Sequence, residues 1–240
     1  MSRPRIPVFI RVLFVINLAL GLAYVFDYLI GRPYRLLTVF LDLNGECNLP
    51  TWYSSIQWFA VAAMLGLFAM RNVSHASRRS WLLLALPVIF LAFSLDEVAQ
   101  IHEALGKRSD ALFIGDRAQS MFSRTGIWMF VIGLPFAALL VALILLTRDF
   151  FSHAPGALVK AMVGIGMLFV GALGIELFRN WVAPDTAFDV MQAFLEEFCE
   201  MTGSTIVLWG SYELLGGGTA FRPETQPGAA ARRSRIARRP

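Results

Sequence analysis

Residues 81–103 read WLLLALPVIFLAFSLDEVAQIHE. The first thirteen carry no charged or polar side chain, and then Ser94, Asp96, Glu97, Gln100, His102 and Glu103 follow within ten positions. An apolar block of about 20 residues is long enough to cross a hydrocarbon core of about 30 Å as a helix. Blocks of the same kind recur at about 6–30, 52–70, 125–147, 161–180 and 193–215. None shows the period of two expected of strands, and Leu, Ala, Phe, Val and Gly dominate, which favours helices over a barrel. Composition agrees. The 240 residues are 57% hydrophobic and 16% charged, against about 25% charged in an ordinary soluble domain. Mean hydropathy is +0.60. A soluble enzyme, a disordered chain and a disulfide scaffold are excluded. The expectation is an all-α, polytopic transmembrane bundle of six helices over residues 1–215. A disordered basic tail is expected over 216–240.

Arg3, Arg5 and Arg11 before the first block resemble the start of a signal peptide. The block is long, holds Asn17 and ends at Asp27-Tyr28 without a small-x-small cleavage site, so a retained helix is expected.

Basic residues orient the bundle. With a cytoplasmic N-terminus, the inside segments hold 14 of the 21 Lys and Arg and only three of the 17 acids, Asp149, Glu213 and Glu224. The net charge of +4 is thus a basic inner face and an acidic outer face. Both termini are expected in the cytoplasm. Trp52, Trp128 and Trp181 fall near outer boundaries, and Trp81 and Trp209 near inner ones, as aromatic belts do. The tail run Arg232-Arg233-Ser234-Arg235 with Arg238-Arg239 suits an anionic lipid surface, and no nucleic-acid partner is needed to explain it.

The outer acids carry the functional interest. Asp42, Asn44, Glu46 and Asn48 alternate through a turn containing Gly45, which suits a hard cation with oxygen ligands. An Asx-rich turn leading into a helix at Pro50-Thr51 accounts for them equally well. In the third block, Asp96, Gln100 and Glu103 share a stripe about 40° wide, whereas Glu97 and His102 lie about 100–120° away. Either that helix loosens near Gln100 or His102 has another partner. In the sixth block, Glu196, Glu197 and Glu200 share a face with Gly203 and Ser204. Three like charges there need a cation, a basic partner, shared protons or open water. Glu176 and Arg179, one turn apart, read as a salt bridge. The candidate metal ligands are therefore Asp42, Asn44, Glu46, Asn48, Asp96, Glu97, Glu103, Glu196, Glu197 and Glu200. Ca²⁺, Mg²⁺ or Mn²⁺ fits such an oxygen set. Asp96, His102 and Glu103 are the candidate catalytic groups.

Three histidines exist, and His75 and His153 fall on the inner side, which excludes a three-His zinc site outside. Glu-x-x-His pairs, Gly-x-Ser-x-Gly, Walker and dinucleotide fingerprints are absent. Cys47 and Cys199 both fall outside, as a disulfide or as two thiols. Gly164, Gly166, Gly171 and Gly174 read as close helix packing rather than as a broken transport helix.

Asp-x-Asn-Gly-Glu-x-Asn-x-Pro-Thr-Trp-Tyr-Ser-Ser at 42–55, followed by Ser94-Leu95-Asp96-Glu97 and His102-Glu103, resembles a family of uncharacterised bacterial multipass membrane proteins. The resemblance covers roughly the second and third blocks and implies a protein of the bacterial inner membrane. A fainter similarity is to the alkaline ceramidase-like membrane hydrolases, with Asp42, Glu46 and Asn48 echoing their calcium motif and Asp96 their acid. That family's closing His pair is replaced by Glu196, Glu197 and Glu200, and its seven spans by six. The expected function is an extracytoplasmic acidic site that binds a cation. A metal-dependent hydrolase of a lipid or lipid-linked substrate and a small cation or proton-coupled transporter are the alternatives.

Overall fold

A computed structural model describes residues 6–73 and 78–217. The fold is helical throughout the described residues, with no strand. Its helices are α1 (Val8–Leu29), α2 (Arg35–Leu41), α3 (Leu49–Asn72), α4 (Leu82–Ala99), α5 (Ile101–Phe113), α6 (Met129–Leu146), α7 (Pro155–Trp181) and α8 (Ala187–Gly217). Among the described residues α1, α3, α4, α6 and α7 are long and apolar enough to cross a membrane. The basic tail of 218–240 and His75 lie outside the described residues.

α8 is the exception that organises the rest. It carries more acids than the other five, yet it packs against α1, α3 and α7 and is the hub of the bundle. The physical reason is shielding. The outer helices are apolar nearly all round, and α1 presents Val8, Val12, Val15, Leu18, Leu22 and Phe26 away from the bundle. A helix with five acidic side chains stays out of hydrocarbon only by taking the centre. Its residues Met201–Thr205 are all buried.

Two devices set the packing. A Cβ on Gly164 of α7 would stand 2.6 Å from the Gly203 carbonyl oxygen of α8, and one on Gly203 would stand 2.6 Å from that of Gly164. Backbone meets backbone there, as small residues permit. Gly171 meets the Glu196 carbonyl in the same way, whereas Gly166 and Gly174 face open space. Close packing therefore explains two of the four glycines in the block. Below the crossing, Trp58, Val61, Leu65, Phe90, Ile165 and Val207 form the main apolar core. At the end remote from the acids, Lys160 bridges Glu213 at 2.8 Å and lies over the Trp209 ring, tying α7 to α8 again.

The helix boundaries depart from expectation in instructive places. The third block stops at Ala99 rather than Glu103, because Gln100 adopts a left-handed conformation (φ 53°, ψ 41°) and α5 starts afresh. The segment that follows the third block is thus in part an amphipathic helix, Ile101–Phe113. α6 opens with a π-turn over Met129–Gly133, and α7 contains another over Val170–Ile175. Such turns are frequent at functional sites.

Candidate functional site

The break at Gln100 lets one carboxylate do two jobs. Asp96 Oδ1 accepts the His102 backbone N–H at 2.7 Å, so Asp96 satisfies an otherwise orphaned donor at the start of α5. Its Oδ2 lies 2.8 Å from His102 Nδ1. On one unbroken helix the two would lie far apart around the axis. Here Asp96 fixes the ring, which also packs 5.4 Å from the Trp128 ring. Burial pulls the His102 imidazole down, but the hydrogen bond and charge of Asp96, with Glu176 and Glu46 behind it, win, and its pKa is raised.

The loop before α3 is an Asx turn and a helix cap, which corrects the calcium-loop expectation. Asp42 Oδ1 accepts the Asn44 N–H at 3.0 Å. Asn48 is the N-cap of α3: its Oδ1 accepts the Thr51 N–H at 3.1 Å, and its Nδ2 donates to the carbonyls of Asp42 and Gly45. Asn44 Oδ1 accepts from Arg179. Asp42 and Asn48 are thus consumed inside the turn and Asn44 by Arg179 of α7. Glu46 remains, while the Thr51 hydroxyl donates to Asn48 Oδ1 at 2.9 Å. Burial raises the Glu46 pKa; His102 opposes that rise, and Glu103 and Asp96 reinforce it.

Glu46 joins a group of carboxylates drawn from four elements. Glu97 of α4 feels the charge of Glu46 and Asp96. Arg179 lies only within charge range of Glu176 of α7, being bonded instead to Asn44. That replaces the salt bridge expected from their spacing. On α8, Glu197 faces Glu97, Glu46 and Glu176, and Glu200 faces Glu197, Glu196, Glu97 and Glu176. Glu196 accepts from Gln192 Nε2 at 2.7 Å. All but Glu46 are half-buried. The π-turn of α7 brings Gly171 against Glu196 and Glu200. Glu103 turns aside to Lys107 at 2.9 Å.

The arrangement is a shared electrostatic field rather than a coordination sphere. Among the described residues no group of three or more His, Cys, Asp or Glu is set to hold a metal ion. Two unit charges about 6 Å apart repel by roughly 3 kcal/mol at an effective dielectric near 20. Arg179 and His102 oppose the cluster at its centre, with Arg117 reaching Glu176. Cys47 and Cys199 are both free thiols, so no disulfide ties the loop to α8. Two further outer acids are structural. Asp189 pairs with Arg124 at 2.9 Å, and Asp110 with Arg117 at 3.5 Å.

Sequence reasoning missed a polar cluster one turn deeper. Asn17 of α1 donates to the Met201 carbonyl (3.0 Å) and Thr205 (3.1 Å), and Tyr53 donates to Asn17 Oδ1 at 2.7 Å. Gln57 Oε1 accepts from Ser204 at 2.9 Å and Thr205 at 2.7 Å. The available signal was a set of single polar residues inside apolar blocks, with Ser204 four positions after Glu200.

Comparison with curated proteins and with solved structures returned no match. A family model described as "Domain of unknown function (DUF8692)" matches residues 9–214. That span runs from the first turn of α1 almost to the end of α8, and the chain belongs to this family.

Proposed function

We propose that this chain is a six-span protein of the bacterial inner membrane, with α8 as the sixth span and both termini cytoplasmic, and that its extracytoplasmic acidic pocket binds a cation. The observation that carries the reading is the convergence of Glu46, Asp96, Glu97, Glu176, Glu196, Glu197 and Glu200 around few opposing charges. Half-buried like charges are stable together only with a counter-charge, shared protons or water. The pocket is not a ready-made divalent metal site. Binding therefore draws carboxylates together, and the cation contributes stability as it does so.

The test is thermal unfolding of detergent-purified protein, titrated with CaCl₂, MgCl₂, MnCl₂ and NaCl against choline chloride at constant ionic strength. A cation-specific rise in Tm that Glu197→Gln weakens supports the reading. An identical response to every salt refutes it.

A second reading rests on the Asp96–His102 pair. A carboxylate on Nδ1 orients the ring of a general base in hydrolases. A lipid or lipid-linked ester would be the substrate class. Loss of hydrolysis in His102→Gln, with binding of the uncleaved lipid unchanged, would support this reading over a purely binding role.

A further inference from the structure

α5 is amphipathic with its faces reversed. At one residue per 100° or so, Ile101, Leu105, Arg108 and Leu112 fall within about 60° of one another and form one stripe. All four are exposed, Leu112 to 79%. The polar side faces the protein instead. Ser109 and Asp110 are buried, and Asp110 Oδ1 accepts the Ile127 N–H at 2.8 Å. His102 lies against the Trp128 ring, and a Cβ on Gly106 would stand 3.3 Å from the Trp128 side chain. A helix on the surface of a soluble protein turns its apolar stripe to the core. Left in water, the outward face of α5 would keep three large aliphatic side chains hydrated.

Depth and charge say what covers it. α4 is long and apolar enough to cross a membrane, and its 18 residues make a helix about 27 Å long. A hydrocarbon core is about 30 Å thick, so the chain leaves α4 at a boundary of that core. Val88, Leu91, Leu95 and Val98 are exposed on α4, and exposed apolar positions resume at Ile101 directly after the break at Gln100. Arg108 stands inside the stripe. It pairs with no carboxylate among the described residues, whereas its neighbour Lys107 bridges Glu103 at 2.9 Å. Between two proteins, a guanidinium amid aliphatic side chains would lose its water without gaining a counter-charge. At a bilayer surface it reaches the phosphates while its methylenes stay among acyl chains.

From these observations we infer that the outward stripe of α5 is a phospholipid-binding face, which seats the helix in the interface of the leaflet at the acidic end of the bundle. Ile101, Leu105 and Leu112 lie against acyl chains, and the Arg108 guanidinium takes a lipid phosphate. His102, on the side of α5 turned to Trp128, is thereby held at headgroup depth. The inference needs α4 to span the membrane and is independent of cation binding in the acidic pocket.

The test is nitroxide accessibility of the full chain in nanodiscs of phosphatidylethanolamine and phosphatidylglycerol. One label is placed at a time, through Leu105→Cys, Leu112→Cys or Lys107→Cys, with Cys47→Ser and Cys199→Ser removing the native thiols. Collisions with dissolved oxygen, which concentrates among acyl chains, should exceed those with a water-soluble nickel chelate severalfold at Leu105 and Leu112. Lys107, at the polar edge of the helix, should show the reverse order. Adding Arg108→Glu should shift the Leu112 label towards the chelate. An excess of chelate collisions at both Leu105 and Leu112 means that water covers the face and overturns the inference. Labels immobilised there and shielded from both reagents mean that protein covers it, a second copy or another partner, and overturn it as well. A Leu112 ratio unmoved by Arg108→Glu overturns the phosphate contact.

Discussion

Asp96→Asn isolates the charge on the carboxylate that joins α4 to α5. The substitution keeps an oxygen to accept the His102 N–H and keeps the size of the side chain, while the ionic part of the contact with Nδ1 is lost. A hydrogen bond to a charged partner contributes about 1.5–3 kcal/mol. The Asp96 and His102 side chains are 28% and 37% exposed, so water screens part of that, leaving about 1 kcal/mol. Because the folded His102 pKa lies above its ordinary value, the contribution is fully present below the unfolded imidazole pKa of about 6.5. It is lost as the pH rises through the higher folded value. Thermal unfolding in detergent should therefore show Asp96→Asn about 2–4 °C below wild type near pH 6, with the gap closing under alkaline conditions. The His102 ring resonances should titrate at lower pH in the variant. A gap that is the same at every pH, or an unchanged His102 titration, would refute the argument.

Two further outcomes follow from the packing and the topology. Gly164→Leu drives side-chain atoms into the Gly203 carbonyl, so it should cost several kcal/mol and lower Tm sharply, as overpacking a close contact does. Gly166→Leu on the same helix has open space before it and should unfold within about 0.5 kcal/mol of wild type. Cys47 is an exposed free thiol at the acidic end. A membrane-impermeant maleimide applied from the extracytoplasmic side should label it and leave Cys47→Ser less labelled. Labelling only after the cytoplasmic side is opened would reverse the proposed orientation.

Helical class was legible because it rests on composition and length, which neighbours in space do not alter; five of the six apolar blocks form helices long and apolar enough to cross a membrane. Pairing was not legible. The angle between Asp96 and His102 on an ideal helix forbids their contact, and the sequence offered the break at Gln100 only as one of two options. A left-handed glutamine leaves no clear mark in a sequence. The Asp42–Asn48 stretch reads equally as a cation loop or as a cap, since both need oxygens at alternate positions. Only the folded turn shows that Asp42, Asn44 and Asn48 spend those oxygens on Asn44 N–H, Arg179 and Thr51.

The chain by itself determined that the protein is built of apolar helices, because water and hydrocarbon sort residues by type alone. Tertiary structure decided which helix is the centre. α8 is the most acidic of the long helices, and it lies among α1, α3 and α7, whose packing shields its side chains. The same packing brings Asn17, Gln57 and Ser204 together from three separate helices, and no pattern along one helix encodes that.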